Sequence, residues 1–152
     1  MKIGIENLKK LRAETQAGVS DCRQALEDAG GDYVRARKLL TDRGLEKAGK
    51  KEGKATNEGI VEVYAHATGK VASMVTLLCE TDFVARNDEF RKLGRELAMQ
   101  VAAMDPDNVA ELLKSPYIRD ASITIADLIK KTIIKVGENI TVGEISRQSI
   151  KV

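Results

Sequence analysis

VASMVTLLCETDFVARND, residues 71–88, changes character at Cys79. Ahead of that point, Val71 to Cys79 is a nearly unbroken apolar run of strand length, which predicts a strand shielded from water on both faces. Beyond it, Asn87 and Asp88 supply N-cap chemistry for the run Glu89 to Met104, in which Phe90, Leu93, Leu97, Val101 and Met104 recur at steps of three and four. Thr81 to Arg86 is therefore a short connection at a rim, anchored at both ends. It carries Phe83, one of two phenylalanines in a chain without tryptophan. A large aromatic on a connector is either tucked back as a core plug, the commoner fate, or presented as an anchor for a partner.

Working outward, Gly59 to His66 reads as a strand with Val61, Val63 and Ala65 on one face, and Ala67-Thr68-Gly69-Lys70 supplies a hairpin turn into Val71. Downstream, Val109, Leu112 and Leu113 predict a short helix stopped at Ser115-Pro116. Ile125, Leu128, Ile129, Ile133 and Ile134 predict another, ending near Gly137. A final strand runs through Ile140, Val142, Ile145 and Ile150. Residues 57–152 are thus expected to form a small α+β core with a three-stranded sheet, its helices gathered between the hairpin and the last strand. Such a sheet has two edges, and unblunted edges invite pairing with a second copy, so a homodimer through this core is expected.

Toward the N-terminus the period becomes helical. Ile5, Leu8 and Leu11 mark one helix, Val19, Cys22, Ala25, Leu26 and Ala29 a second, and Tyr33, Ala36, Leu39 and Leu40 a third. Gly18, Gly30-Gly31 before Asp32, and Gly44 punctuate them. A three-helix bundle over residues 1–45 has a small core, which points to a second role or a partner. Residues 46–56, with Lys47, Lys50, Lys51 and Lys54 around Gly49 and Gly53, are expected to be a solvated, lysine-rich linker.

Composition excludes several classes. With 43% hydrophobic and 32% charged residues in 152, the chain reads as soluble and globular. The net charge is +2, and the basic excess is confined to the first third, too little to imply direct nucleic-acid binding. No run approaches the roughly 20 apolar residues of a membrane span, and the start has no signal-peptide core, so a cytoplasmic location without membrane attachment is expected. Cys22 and Cys79 lie in apolar contexts without metal-ligand spacing and are expected to be buried free thiols, while His66 reads as a surface residue by a turn. No phosphate loop, GxGxxG, GxSxG or HExxH occurs. A Cys79–His66 nucleophile pair is conceivable on the two arms of one hairpin, but no orienting group accompanies it. No catalytic residue, metal or cofactor is expected, and the chain is not read as an enzyme.

Three segments in order, LEKAGKKEG at 45–53, CETDFVARND at 79–88 and KVGENI at 135–140, together resemble bacterial translation elongation factor Ts. The N-terminal LKKLRAETQAGVSDCRQALEDAGGD, residues 8–32, is similar to that family's ubiquitin-associated-like module. The resemblance spans almost the whole chain and implies a short family form with one core subdomain. It implies a guanine-nucleotide exchange factor for the GTPase elongation factor Tu, in which Thr81, Asp82, Phe83 and Val84 insert near the GTPase's magnesium site. Leu11, Arg12, Val19 and Ser20 match positions that face the GTPase when the N-terminal module docks. Short members of the family dimerise through the core. The chain departs from the family pattern at Gln16, where glycine is common, at Val19-Ser20, at Leu78, where Asn is usual, and at the C-terminal SRQSIKV. The alternative reading is a non-catalytic ubiquitin-associated-like binding module, on a dimerisation core, that captures a different helix-presenting protein.

Overall fold

Glycines and an aspartate set the boundaries of the N-terminal helices in the computed structural model, which describes residues 4–150. Helix α1 (Ile5–Thr15) closes on Gln16 in the left-handed region (φ 54°), and α2 (Val19–Asp28) begins after Gly18. Gly30 and Gly31, both at positive φ, turn the chain into α3 (Tyr33–Lys51), where Asp32 Oδ1 accepts a hydrogen bond from the Arg35 amide at 2.9 Å. The three helices share a core of Leu11, Cys22, Ala25, Leu26, Ala29, Ala36 and Leu40.

Helix α3 does not stop at Gly44. That glycine is buried inside it, and the helix continues to Lys51, so residues 46–51 of the expected linker are helical and only 52–57 are irregular. Side chains beyond Gly44 explain the extension. Ala48 is buried, and Lys47 reaches Asp21 of α2 at 3.2 Å, just as Arg43 reaches Asp28 at 2.5 Å. The chain divides into two compact units at Lys50 and Lys51.

The second unit is α+β. Strands β1 (Glu58–Ala65) and β2 (Val71–Cys79) form the expected hairpin. There follow the single-turn helix α4 (Asp82–Ala85), α5 (Asp88–Met104), α6 (Val109–Lys114), β3 (Pro116–Tyr117), β4 (Asp120–Thr124), α7 (Ile125–Val136) and β5 (Ile140–Ser149). The main sheet is antiparallel in the order β1-β2-β5, with Cys79 opposite Ile140 at one end and Val71 opposite Ser149 at the other. At Gly59, where β1 passes β2, an added Cβ would lie 2.1 Å from the Leu77 carbonyl oxygen, so only glycine fits.

Helix α5 covers one face of this sheet. Ser73, Val75, Leu77 and Cys79 are buried on that face, and Ser73 Oγ donates to the Ala98 carbonyl of α5 at 2.5 Å. Within this unit the other face is left partly open, so β2 is not shielded on both sides as its composition predicts. Met74 is 49% exposed there, and Val61 and Val63 of β1 are 63% and 58% exposed. Met104, at the end of the α5 stripe, also lies half in water.

A second, two-stranded sheet of β3 and β4 falls where the sequence suggested only a stop at Pro116. Gln100, fully buried on α5, holds it. Its Nε2 donates to the Pro116 carbonyl at 2.9 Å and its Oε1 accepts from the Ile118 amide at 3.0 Å.

Candidate functional site: the helical turn after β2

Where β2 runs out of ladder partners, the chain turns outward at Thr81. Thr81 is extended (φ −128°, ψ 155°) and caps α4, its Oγ1 accepting from the Val84 amide at 3.4 Å. Val84 and Ala85 are buried and root the turn in the core, while Asn87 Oδ1 accepts from the Glu89 amide at 2.8 Å and starts α5 as its sequence predicts. With the turn rooted at both ends, Phe83 points outward. It is 84% exposed, which removes the core-plug fate. Arg86 forms an ion pair with Asp82 one turn away, and its guanidinium carbon lies 5.9 Å from the Phe83 ring centroid.

The base of the turn is held from the far end of the chain. Gly137 takes the left-handed conformation (φ 77°) that closes α7, which brings Glu138 and Asn139 against the end of β2. Glu138 Oε1 accepts from the Thr81 amide at 3.0 Å and its Oε2 from the Thr81 hydroxyl at 2.7 Å. Reciprocally, Glu80 Oε1 accepts from the Asn139 amide at 2.7 Å, and Asn139 Nδ2 donates to the Lys54 carbonyl at 2.9 Å. Two glutamates thus take the place of ladder carbonyls just past the Cys79–Ile140 pair.

Cys79 adds a third tie. Its thiol donates to the Thr81 carbonyl at 3.2 Å. Burial first, and then the nearby negative charges of Glu138, Glu58 and Asp82, push the thiol up to about 11, so it stays protonated and serves as a donor. His66 stands at the opposite end of the hairpin, its Nδ1 2.8 Å from Thr68 Oγ1, so no Cys79–His66 pair assembles.

In the helical unit, Leu11 is fully buried. In this structure it packs in one core cluster with Cys22 and Leu26 and supports the unit from inside, rather than standing on the surface beside Arg12. Arg12, in the last turn of α1, and Val19 and Ser20, in the first turn of α2, are exposed and flank the Gln16–Gly18 turn. Among the described residues, no group of three or more His, Cys, Asp or Glu side chains is placed to hold a metal ion. No helix of the described residues is long and apolar enough to cross a membrane.

The outward-facing turn lies at the start of a stretch, residues 80–151, that matches the family model described as Elongation factor TS. The whole chain is also similar to proteins named Elongation factor Ts. That of Nitratidesulfovibrio vulgaris is 36% identical, with 99% of this chain and 98% of that protein covered. This chain belongs to the elongation factor Ts family.

Two further family members agree. The protein of Leptospira biflexa is 38% identical with 97% of each chain covered, and that of Coprothermobacter proteolyticus 36% with 99% of each. These alignments run over 192 and 195 positions, well beyond the 152 residues of this chain, so the relatives carry inserted residues that it lacks. Family membership assigns the chain to translation elongation in protein biosynthesis. Sequence reasoning picked out Thr81 to Val84 and the KVGENI segment separately. It missed that Glu138 and Asn139 of the second hold the first, because the only signal is a contact between residues 57 or more positions apart.

Proposed function

We propose that this protein is a guanine-nucleotide exchange factor for elongation factor Tu, with the turn carrying Phe83 as a wedge and the helical unit as a ubiquitin-associated-like dock. A P-loop GTPase holds GDP through backbone amides, a lysine and a Mg²⁺ whose ligands sit at about 2.0–2.1 Å in near-octahedral geometry. An aromatic pressed beside that site shifts the coordinating elements by a fraction of a bond length and weakens metal and diphosphate together. The observation that carries the reading is Phe83, 84% exposed on a turn rooted in the core. Asp82 supplies a carboxylate for a displaced polar group once it leaves Arg86. The factor binds the nucleotide-free GTPase better than its GDP form, and by reciprocity GDP weakens the factor's hold. No covalent bond is made or broken, so the protein acts without enzyme chemistry.

Arg12, Val19 and Ser20 are the docking positions this reading keeps. Stopped-flow release of fluorescent GDP from elongation factor Tu tests both parts. Phe83→Ala is expected to cut the saturating release rate by well over tenfold, since losing an aromatic anchor costs about 2 kcal/mol or more. Because Phe83 is exposed, its melting temperature is expected to stay put. Arg12→Ala is expected to raise the factor concentration for half-maximal exchange and spare the saturating rate. Undiminished release with Phe83→Ala sinks the wedge, and no stimulation by the unmodified protein favours a different partner for the helical unit.

The core is also proposed to pair with a second copy. Its support is the partly open sheet face with exposed Val61, Val63 and Met74, a stronger argument than the sheet edges alone. Light scattering is expected to give twice the chain mass at tens of micromolar, and Val63→Lys to halve it. A monomer mass for the unmodified protein rules this out.

A further inference from the structure

We propose that Glu138 is a positioning residue for nucleotide exchange, acting through Thr81 to set the direction in which Phe83 points; the inference rests on the wedge reading above. Thr81 is the first residue beyond the sheet that the tip depends on, and its polar groups are all committed. The amide and hydroxyl donate to the two oxygens of Glu138, at 3.0 and 2.7 Å, and the carbonyl accepts from the Cys79 thiol. A hydroxyl has one proton. With that proton fixed toward Glu138 Oε2, its lone pairs face the Val84 amide, the cap bond of α4. The orientation of a single-turn helix, too short to hold itself, therefore depends on a carboxylate 57 residues away.

A carboxylate is required because it accepts from both donors at once. In Glu138→Gln one arm becomes an NH₂ group, which opposes one of the two Thr81 donors. If it faces the hydroxyl, the hydroxyl must turn its proton away and compete with the Val84 cap. The side chain keeps its size, so packing is preserved while the positioning is lost.

The test combines stopped-flow GDP release from elongation factor Tu with amide hydrogen exchange, on the full chain. Glu138→Gln is expected to lower the saturating rate by about fivefold or more, with the half-saturating concentration nearly unchanged and the Thr81 and Val84 amides losing protection. Thr81→Val, which lacks only the hydroxyl, is expected to behave alike, and Thr81→Ser, which keeps it, to retain the protection of the Val84 amide. These serve equally if Glu138→Gln folds poorly. In the Phe83→Ala background, Glu138→Gln is expected to add no further loss, because it acts only through that ring. Equal losses with and without Phe83, or a Glu138→Gln variant at the full rate while Phe83→Ala is slow, overturns the inference and leaves the wedge standing. Full-rate release by Phe83→Ala instead overturns the wedge itself, and the inference with it.

Discussion

The two units of this chain are built from different material. The helical unit buries alanines and a cysteine around three leucines, and no aromatic ring is fully enclosed. The α+β unit encloses Phe90, Leu77, Leu97, Leu112 and Ile125 under a hydrogen-bonded sheet. Small side chains bury little apolar surface, so the first unit has a thin margin over the entropy it loses on folding, and the second a wide one. The proposed labour divides the same way: the unit with the thin margin carries the dock, and the firm one carries a protruding aromatic that works only if its base does not yield.

The sharpest way to break this comparison is a pair of matched truncations. A buried leucine cut to alanine costs about 2–5 kcal/mol, which approaches or exceeds what a bundle of this size supplies. Leu26→Ala is expected to unfold the helical unit at room temperature, while Leu97→Ala, equally buried, lowers the melting temperature of a core that stays folded. Backbone amide spectra distinguish the two outcomes. Equal tolerance in both units would show that the difference in packing carries no difference in stability.

A smaller effect concerns the core alone. The Cys79 thiol is pushed up to about 11 from an ordinary value of 9.0, so the unfolded chain gives up this proton before the folded one does. The contribution is therefore complete below about pH 9 and is lost as pH rises toward 11. The melting temperature of the core is expected to fall across that window, and less steeply in Cys79→Ala. Coincident slopes for the two proteins would mean that the thiol is not held protonated by the fold.

The smallest expected change sits in the helical unit. Gln16 holds a left-handed conformation that glycine adopts without strain, so Gln16→Gly is expected to stabilise this unit by about 1 kcal/mol and leave the core unaffected. Thermal unfolding followed on each unit's own amides measures both halves of that statement.

Much of this architecture was legible in the residues. The hairpin, the cap at Asn87 and the α5 stripe announce themselves through local chemistry. What was not legible depended on neighbours distant in sequence. Gly44 reads as a helix stop, yet α3 runs through it because Lys47 and Ala48 find partners in the folded unit. Pro116 reads as an end, yet a buried glutamine turns the next residues into a small sheet. A nearly unbroken apolar run reads as a strand covered on both faces, so Met74 is expected inside, whereas it lies half in water. Phe83 had two readings on sequence, and its exposure decided between them. Glu138 had no local signal at all.

Arg86 has a bearing on how such a protein survives in a crowded solution. A phenylalanine left almost wholly in water is a sticky point for any passing apolar surface, yet here a guanidinium rests over its ring and is tethered by Asp82. The ring stays 84% exposed under this contact, so what the cation supplies is a charged, hydrated neighbour beside an apolar tip. Removing it with Arg86→Ala is therefore expected to make the protein more prone to self-association during storage, long before any change in melting temperature is detectable.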